Sequence, residues 1–203
     1  MEIHLITDSS KSNSELTSIL KSVQEHIDYI HIREKTKTIS KQQDLIQQLL
    51  NEGIPKQRLI VNDRVDLALM NGIHRVHLPS HSFKSSVVRE RFPHLKIGTS
   101  IHSADEAEQI ECTDYVLYGH IFPSQSKPGL KARGTKELQE VTAKSNVPVI
   151  AIGGIDCTTI QQLLPIPLKG IAVMSSILSA KDPLKAVLQL KDEIRRGFHE
   201  KFL

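Results

Sequence analysis

The sequence predicts an α/β fold, a (β/α)8 TIM barrel made by one domain over residues 1–203. Three observations carry this. Short β-branched apolar runs alternate with longer amphipathic stretches to the end of the chain, the runs number eight, and the connections between them are short. An open doubly wound sheet is the rival architecture, but it rarely strings eight consecutive βα units through so few residues.

The expected strands are IHLIT (3–7), YIHIRE (29–34), LIVND (59–63), RVHLP (75–79), KIGTSI (96–101), DYVLYGHI (114–121), PVIAIGG (148–154) and GIAVMSSI (170–177). Helical spacing fills the gaps. SELTSILKSV puts Leu16, Ile19, Leu20 and Val23 on one stripe. ISKQQDLIQQLLNEG opens at a Ser40 cap and stops at Gly53. SADEAEQI carries Ser103 as N-cap with Glu106 three residues on, the pattern of a capping box. DPLKAVLQLKDEIRRGF begins with Asp182 as cap and Pro183 at the first helical position.

Composition narrows the function. Aromatic residues are 4% of the chain and Trp is absent, which speaks against a nucleic-acid reader built on stacking. The formal net charge is +3, with no dense Lys/Arg run, so the local cluster LKARGTK suits a small anion better than a nucleic-acid track. Cys112 and Cys157 stand in no metal or redox spacing. No run reaches the roughly 18 apolar residues of a membrane span, and MEIHLITDSS is too short in apolar residues for a secretory signal. A cytoplasmic protein with no membrane or nucleic-acid partner is expected.

In a barrel of this kind chemistry sits at the C-terminal ends of the strands. The seventh strand closes on Gly153 and Gly154, and the eighth on Ser175 and Ser176. Together they suit a phosphate held by backbone N–H groups at a helix start. The second ends in HIREKTK, where period-two alternation turns His31, Arg33 and Lys35 inward; paired inward cations call for an anion. Asn62 and Asp63 close the third strand, to bind a ligand, hold a metal or cap the next helix. His74, His77 and His81 have spacing that crosses a strand, which argues against a metal site, and His4, His26, His94 and His199 look incidental. The sixth strand delivers His120 to the barrel mouth, ahead of Ser124, Gln125, Ser126 and Lys127. An imidazole there could accept and return a proton near neutrality.

Taken together, REK, VNDRVDLA, GTSIHS, DYVLYGHIFPSQSKPG, PVIAIGGI and GIAVMSSI resemble the thiamine phosphate synthase superfamily over nearly the whole chain. The resemblance implies a TIM barrel. Synthases of that family join a pyrimidine methyl pyrophosphate to a thiazole phosphate, with Mg²⁺ and release of pyrophosphate. It assigns Arg33 and Lys35 to the basic pair, and Asn62 and Asp63 to the third-strand pair whose Asp would hold Mg²⁺. Ser100 (in GTSIHS), Ser124, Ser126 and Lys127 fall where the family binds substrate, and Gly153, Gly154, Ser175 and Ser176 match its thiazole-phosphate cradle.

Three positions depart from the synthase pattern. His31 replaces a usual glutamine, HLPSHS replaces a motif like HLGQxD so that Ser82 stands for a second acidic ligand, and GHIFPS replaces GPIFPT. Those departures are similar to the TenI-type thiazole tautomerases. That likeness implies an isomerase with His120 as proton shuttle, a phosphorylated thiazole as ligand, no cofactor, no metal and a homodimer. A thiamine phosphate synthase, or a non-catalytic binder of thiamine-pathway phosphates, is the alternative.

Overall fold

The computed structural model describes residues 1–124 and 129–199. Eight parallel strands close into a barrel in chain order: β1 (Glu2–Ile6), β2 (Tyr29–Ile32), β3 (Leu59–Asn62), β4 (Arg75–Leu78), β5 (Lys96–Ile101), β6 (Tyr115–Gly119), β7 (Val149–Ile152) and β8 (Gly170–Val173). β8 pairs back onto β1, with Glu2 opposite Gly170 and Leu5 opposite Val173. This confirms the TIM barrel expected from the alternation.

The helices are α1 (Asn13–Val23), α2 (Ile39–Asn51), α3 (Val65–Met70), α4 (Ser85–Arg91), α5 (Ala104–Gln109), α6 (Gly134–Lys144), α7 (Ser175–Leu178) and α8 (Pro183–His199). α1 starts at a capping box, with Ser12 and Glu15 satisfying each other's backbone N–H, and buries Leu16, Leu20 and Val23. The cap of α2 lies two residues before the expected one. Thr38, not Ser40, accepts the Lys41 N–H at 3.3 Å. In α5, Ser103 does accept the Glu106 N–H at 3.1 Å, but the Glu106 carboxylate takes the His102 N–H at 2.8 Å. The reciprocal arm is therefore displaced by one residue.

One βα unit is irregular. After β7 the chain makes a single 3-10 turn, Ile160–Gln162, and the buried Ile160, Leu163, Leu164 and Ile166 cover the barrel wall in place of a full helix. Pro165 and Pro167 follow at once, each without an N–H to extend the turn. The expected eighth strand was likewise too long: it ends at Val173, and Ser175–Leu178 coils into α7. Among the described residues, no helix is long and apolar enough to cross a membrane.

α8 begins as expected, with the Asp182 carboxylate accepting the Lys185 N–H at 2.9 Å. Replacing this cap by alanine should lower unfolding free energy by about 1 kcal/mol. The check is a urea melt whose midpoint falls while its slope is unchanged.

Two regions of packing define the interior. Between sheet and helices lies the main apolar core. Inside the barrel, Ile6, Leu117, Ile150 and Ala172 form a smaller apolar cluster on one side. The other side is polar, with the rings of His4, His31, His77 and Tyr115 in mutual contact. His4, expected to be incidental, is in fact 2% exposed.

Candidate active site

A cavity of about 620 Å³ opens at the C-terminal ends of the strands, within the range that holds a small-molecule ligand. Arg33, Lys35 and Asn62 line one wall; Gly153, Gly154, Ser175 and Ser176 line another. Ser100, His120 and Ser124 lie on the same cavity. The fold thus brings these residues to one cavity, whereas Asp63 is not among those that line it. Ser126 and Lys127 lie outside the described residues.

Arg33 reaches the cavity although β2 ends one residue before it. Its backbone N–H donates to the buried Thr7 hydroxyl at 2.8 Å, which ties the start of the β2–α2 loop to β1. Burial pulls the guanidinium below its usual value, with Asp8 and Glu34 opposing the shift. An arginine stays charged all the same, so the wall presents a half-desolvated cation. Glu34, between the two cations, is buried and pairs with Lys37 at 2.7 Å, so its charge is directed away from the ligand.

Gly153 and Gly154 play a more specific part than tolerance of a ligand. Their φ angles are +108° and +65°, and a Cβ on Gly153 would lie 2.6 Å from the His120 Cα. They let the end of β7 pack under the β6–α6 loop. That loop is pinned by Ile121 N–H to Ile152 O at 3.0 Å and Phe122 N–H to Gly153 O at 2.9 Å. Across the cleft, the Ser176 hydroxyl is buried and unpartnered.

His120 is built into this loop. Its Nε2 is 2.8 Å from the Lys131 carbonyl, to which it must donate, and its own carbonyl accepts the Arg133 N–H at 3.0 Å. The remaining nitrogen, Nδ1, is buried without a partner. One nitrogen is engaged and the other enclosed, an arrangement that braces the loop.

The sequence reading undervalued His77 and did not single out Asp156; both line the cavity. The spacing of His77 argues against a metal ligand and leaves its role at the mouth open. Its signal was the same alternation that turned Arg33 inward, applied to β4. The ring is buried, Nε2 lies 2.9 Å from the Ser100 hydroxyl, and burial lowers its pKa to about 3. Burial also drives His31 well below the usual histidine value.

Both rings are thus neutral in the folded protein at pH 7, and both regain a proton on unfolding at mildly acid pH. Between the unfolded pKa near 6.5 and the folded one, the unfolded chain binds more protons, so stability falls as pH falls. Each ring steepens the loss by up to about 1.4 kcal/mol per pH unit. Urea unfolding from pH 7 to 4.5 should show this, with a smaller slope in His31→Gln.

A divalent cation would find little here. Asp63 turns its carboxylate toward His81, 3.8 Å away, and Ser82, where the resemblance implies a second acidic ligand, is a neutral hydroxyl buried without a partner. Among the described residues no three His, Cys, Asp or Glu side chains converge as a metal site. Mg²⁺ prefers one or two carboxylates together with substrate phosphates. Of the two acidic ligands that the resemblance implies, only Asp63 is present, so an ion held there would depend on substrate phosphates and water for the rest of its shell.

A closed (β/α)8 barrel with a cavity at the C-terminal ends of its strands, lined by Arg33 and Lys35, has the architecture of a TIM-barrel enzyme. A family model described as thiamine monophosphate synthase matches residues 3–177, and the chain belongs to that family. It is similar to the thiamine-phosphate synthase of Pyrococcus horikoshii, 30% identical over 196 residues that cover 94% of this chain and 93% of the relative. The thiamine-phosphate synthase of Caldivirga maquilingensis is 37% identical over 150 residues, 69% of this chain and 73% of its own. The solved structure of thiamine phosphate pyrophosphorylase from Pyrococcus furiosus superposes with a TM-score of 0.80 at 26% identity, covering 97% and 96% of the two chains.

These relatives overturn the expectation of a TenI-type thiazole tautomerase. They are named thiamine-phosphate synthase or thiamine phosphate pyrophosphorylase, and the isomerase assignment, with His120 as its proton shuttle, is withdrawn. The physical reason it misled is local. His120 drew attention as an ionisable group at the mouth, whereas its contacts are those of a loop brace.

Proposed function

We propose that the protein is a thiamine-phosphate synthase, a transferase that joins a pyrimidine methyl pyrophosphate to a thiazole phosphate. The observation that carries this reading is the presence of two anion-receiving walls in one cavity. Arg33 and Lys35 form one, and the backbone and hydroxyls of Gly153, Gly154, Ser175 and Ser176 form the other. A ligand with one phosphate needs only one of them. A reaction between a pyrophosphate ester and a phosphate ester uses both.

The chemistry asks no side chain of the cavity to act as a base. The methylene–oxygen bond of the pyrimidine substrate breaks, and its electron pair leaves on pyrophosphate. The thiazole nitrogen lone pair forms the new carbon–nitrogen bond and the ring becomes cationic. No proton need move. Neutral His77 and the loop-bound His120 are consistent with that. Arg33 and Lys35 would stabilise the charge that develops on the departing pyrophosphate, a preorganised electrostatic contribution, while the second wall fixes the nucleophile by its phosphate. Asp63 would hold a Mg²⁺ ion together with the substrate phosphates, and the ion would help to neutralise the charge on pyrophosphate.

The test is incubation of the purified protein with both substrates over a range of Mg²⁺ concentrations. The expected result is thiamine phosphate and pyrophosphate in equal amounts. Failure to form either product at any Mg²⁺ concentration, while both substrates bind, would overturn the proposal.

A further inference from the structure

The polar half of the barrel interior contains a hydrogen-bonding pattern that the proposed reaction does not use. Glu2, at the N-terminal end of β1, pairs with Lys169 at 3.1 Å and lies 3.4 Å from His4 Nε2. His4 Nδ1 lies 2.9 Å from His31 Nε2. Farther up, His77 Nε2 lies 2.9 Å from the Ser100 hydroxyl on the cavity floor. Between these two segments stand three buried atoms without partners: His31 Nδ1, His77 Nδ1 and the Tyr115 hydroxyl. Their rings surround one space, with centroids 5.6 Å apart for His31 and His77, 5.8 Å for His77 and Tyr115, and 6.5 Å for His31 and Tyr115. Gly98 admits the tyrosine, since a Cβ there would fall 2.4 Å from its hydroxyl oxygen.

Donor and acceptor roles follow from the bottom upward. The Glu2 carboxylate, held in its charged form first by the His4 hydrogen bond, can only accept, so His4 Nε2 carries a proton. The 3.4 Å separation is long for a charge-assisted bond and Glu2 already has Lys169, so His4 is read as the neutral ring. Its Nδ1 then accepts from His31 Nε2–H. His31 is neutral in its buried setting, so its Nδ1 is bare and needs a donor. Burial keeps the Tyr115 hydroxyl protonated, so it too needs an acceptor. Buried polar groups left this way cost about 1–3 kcal/mol each. A single water satisfies all of them if it donates to both bare Nδ1 atoms and accepts from the tyrosine, using both its hydrogens.

We propose that one buried water is held by His31, His77 and Tyr115, completing a column of hydrogen bonds from Glu2 to Ser100 that makes Ser100 a hydrogen-bond donor toward the cavity. In this column His77 donates from Nε2 to the Ser100 oxygen, which leaves the hydroxyl hydrogen for a ligand acceptor. Glu2, His4, His31 and Tyr115 are positioning residues; none lines the cavity. The inference does not depend on which substrate the cavity takes.

The test is ¹⁵N NMR of histidine-labelled protein at pH 7, without substrate. His4, His31 and His77 should each show a protonated Nε2 and a bare Nδ1. In Tyr115→Phe, which keeps the ring, the Nδ1 signals of His31 and His77 should shift together because both bond the same water, while the His4 signals stay in place. Glu2→Gln should instead move His4 and His31. A proton on Nδ1 of His31 or His77 in the wild type, or a Tyr115→Phe spectrum in which neither ring moves, would overturn the proposal. None of these readouts requires turnover, so their failure is distinct from failure of the synthase assay.

Discussion

Arg33→Ala is expected to lower kcat/KM for thiamine phosphate formation by about 10²- to 10³-fold, the scale of losing one preorganised donor to developing charge. The guanidinium is half-buried on the cavity wall, and its backbone is anchored to Thr7 independently of its side chain. Truncation should therefore remove the charge without moving the loop. Lys35 is exposed on the same wall and more strongly screened by solvent, so Lys35→Ala should cost less, about 10-fold. Steady-state kinetics with each substrate varied in turn at a saturating level of the other decides this. If Arg33 holds the leaving group, kcat falls and the KM for thiazole phosphate stays near its wild-type value. An equal loss in both substrates' KM with kcat unchanged would place Arg33 in ground-state binding instead.

The difference between the two cations illustrates what the chain makes legible. Alternation of apolar runs and amphipathic stretches is a property of every βα unit, and so the barrel could be read directly, as could the positions at its mouth. Arg33, Asn62, Ser100, Gly153 and Ser175 all reach one cavity because each sits within two residues of the C-terminal end of its strand. Boundaries were less legible. The Ser175–Ser176 pair looks like strand continuation in GIAVMSSI, yet the chain has already turned into α7 there, which presents both serines to the cavity. Proline chemistry in LLPIPLKG marked the irregular unit after β7, but the overall rhythm masked it.

The contents of the barrel were hidden for a different reason. A period-two pattern says which residues face inward, not what they meet there. His4 and His31 lie on different strands, 27 positions apart, and their contact depends on the register that sets Ile6 opposite His31. The function was misjudged at a similarly local level. Substitutions in HLPSHS and GHIFPS are departures of a few side chains, whereas the synthase relatives match over 94% of the chain. A lone histidine at a strand end carries little information about reaction type until its two nitrogens are accounted for. For His120, Nε2 is held by the Lys131 carbonyl and Nδ1 is buried without a partner.

That brace underlies the other large effect expected. Gly153→Ala should destabilise the fold by about 2–3 kcal/mol, because two costs act together. The backbone sits at φ +108°, where a non-glycine residue pays about 1–3 kcal/mol. The new methyl would also stand 2.6 Å from the His120 Cα and 3.1 Å from the Ile121 nitrogen, backbone atoms that cannot swing aside. Relief requires β7 and the β6–α6 loop to separate, which strains the Phe122 N–H to Gly153 O hydrogen bond. The loop carries Ser124 and the helix-start side of the phosphate cradle lies beside it, so the KM for thiazole phosphate should rise while that for the pyrophosphate substrate changes less. Thermal or urea unfolding measures the first effect and initial rates the second. A variant with wild-type stability and an unchanged KM for thiazole phosphate would mean that β7 and the loop are not held together at Gly153, and that the second anion-receiving wall is set by Ser175 and Ser176 alone.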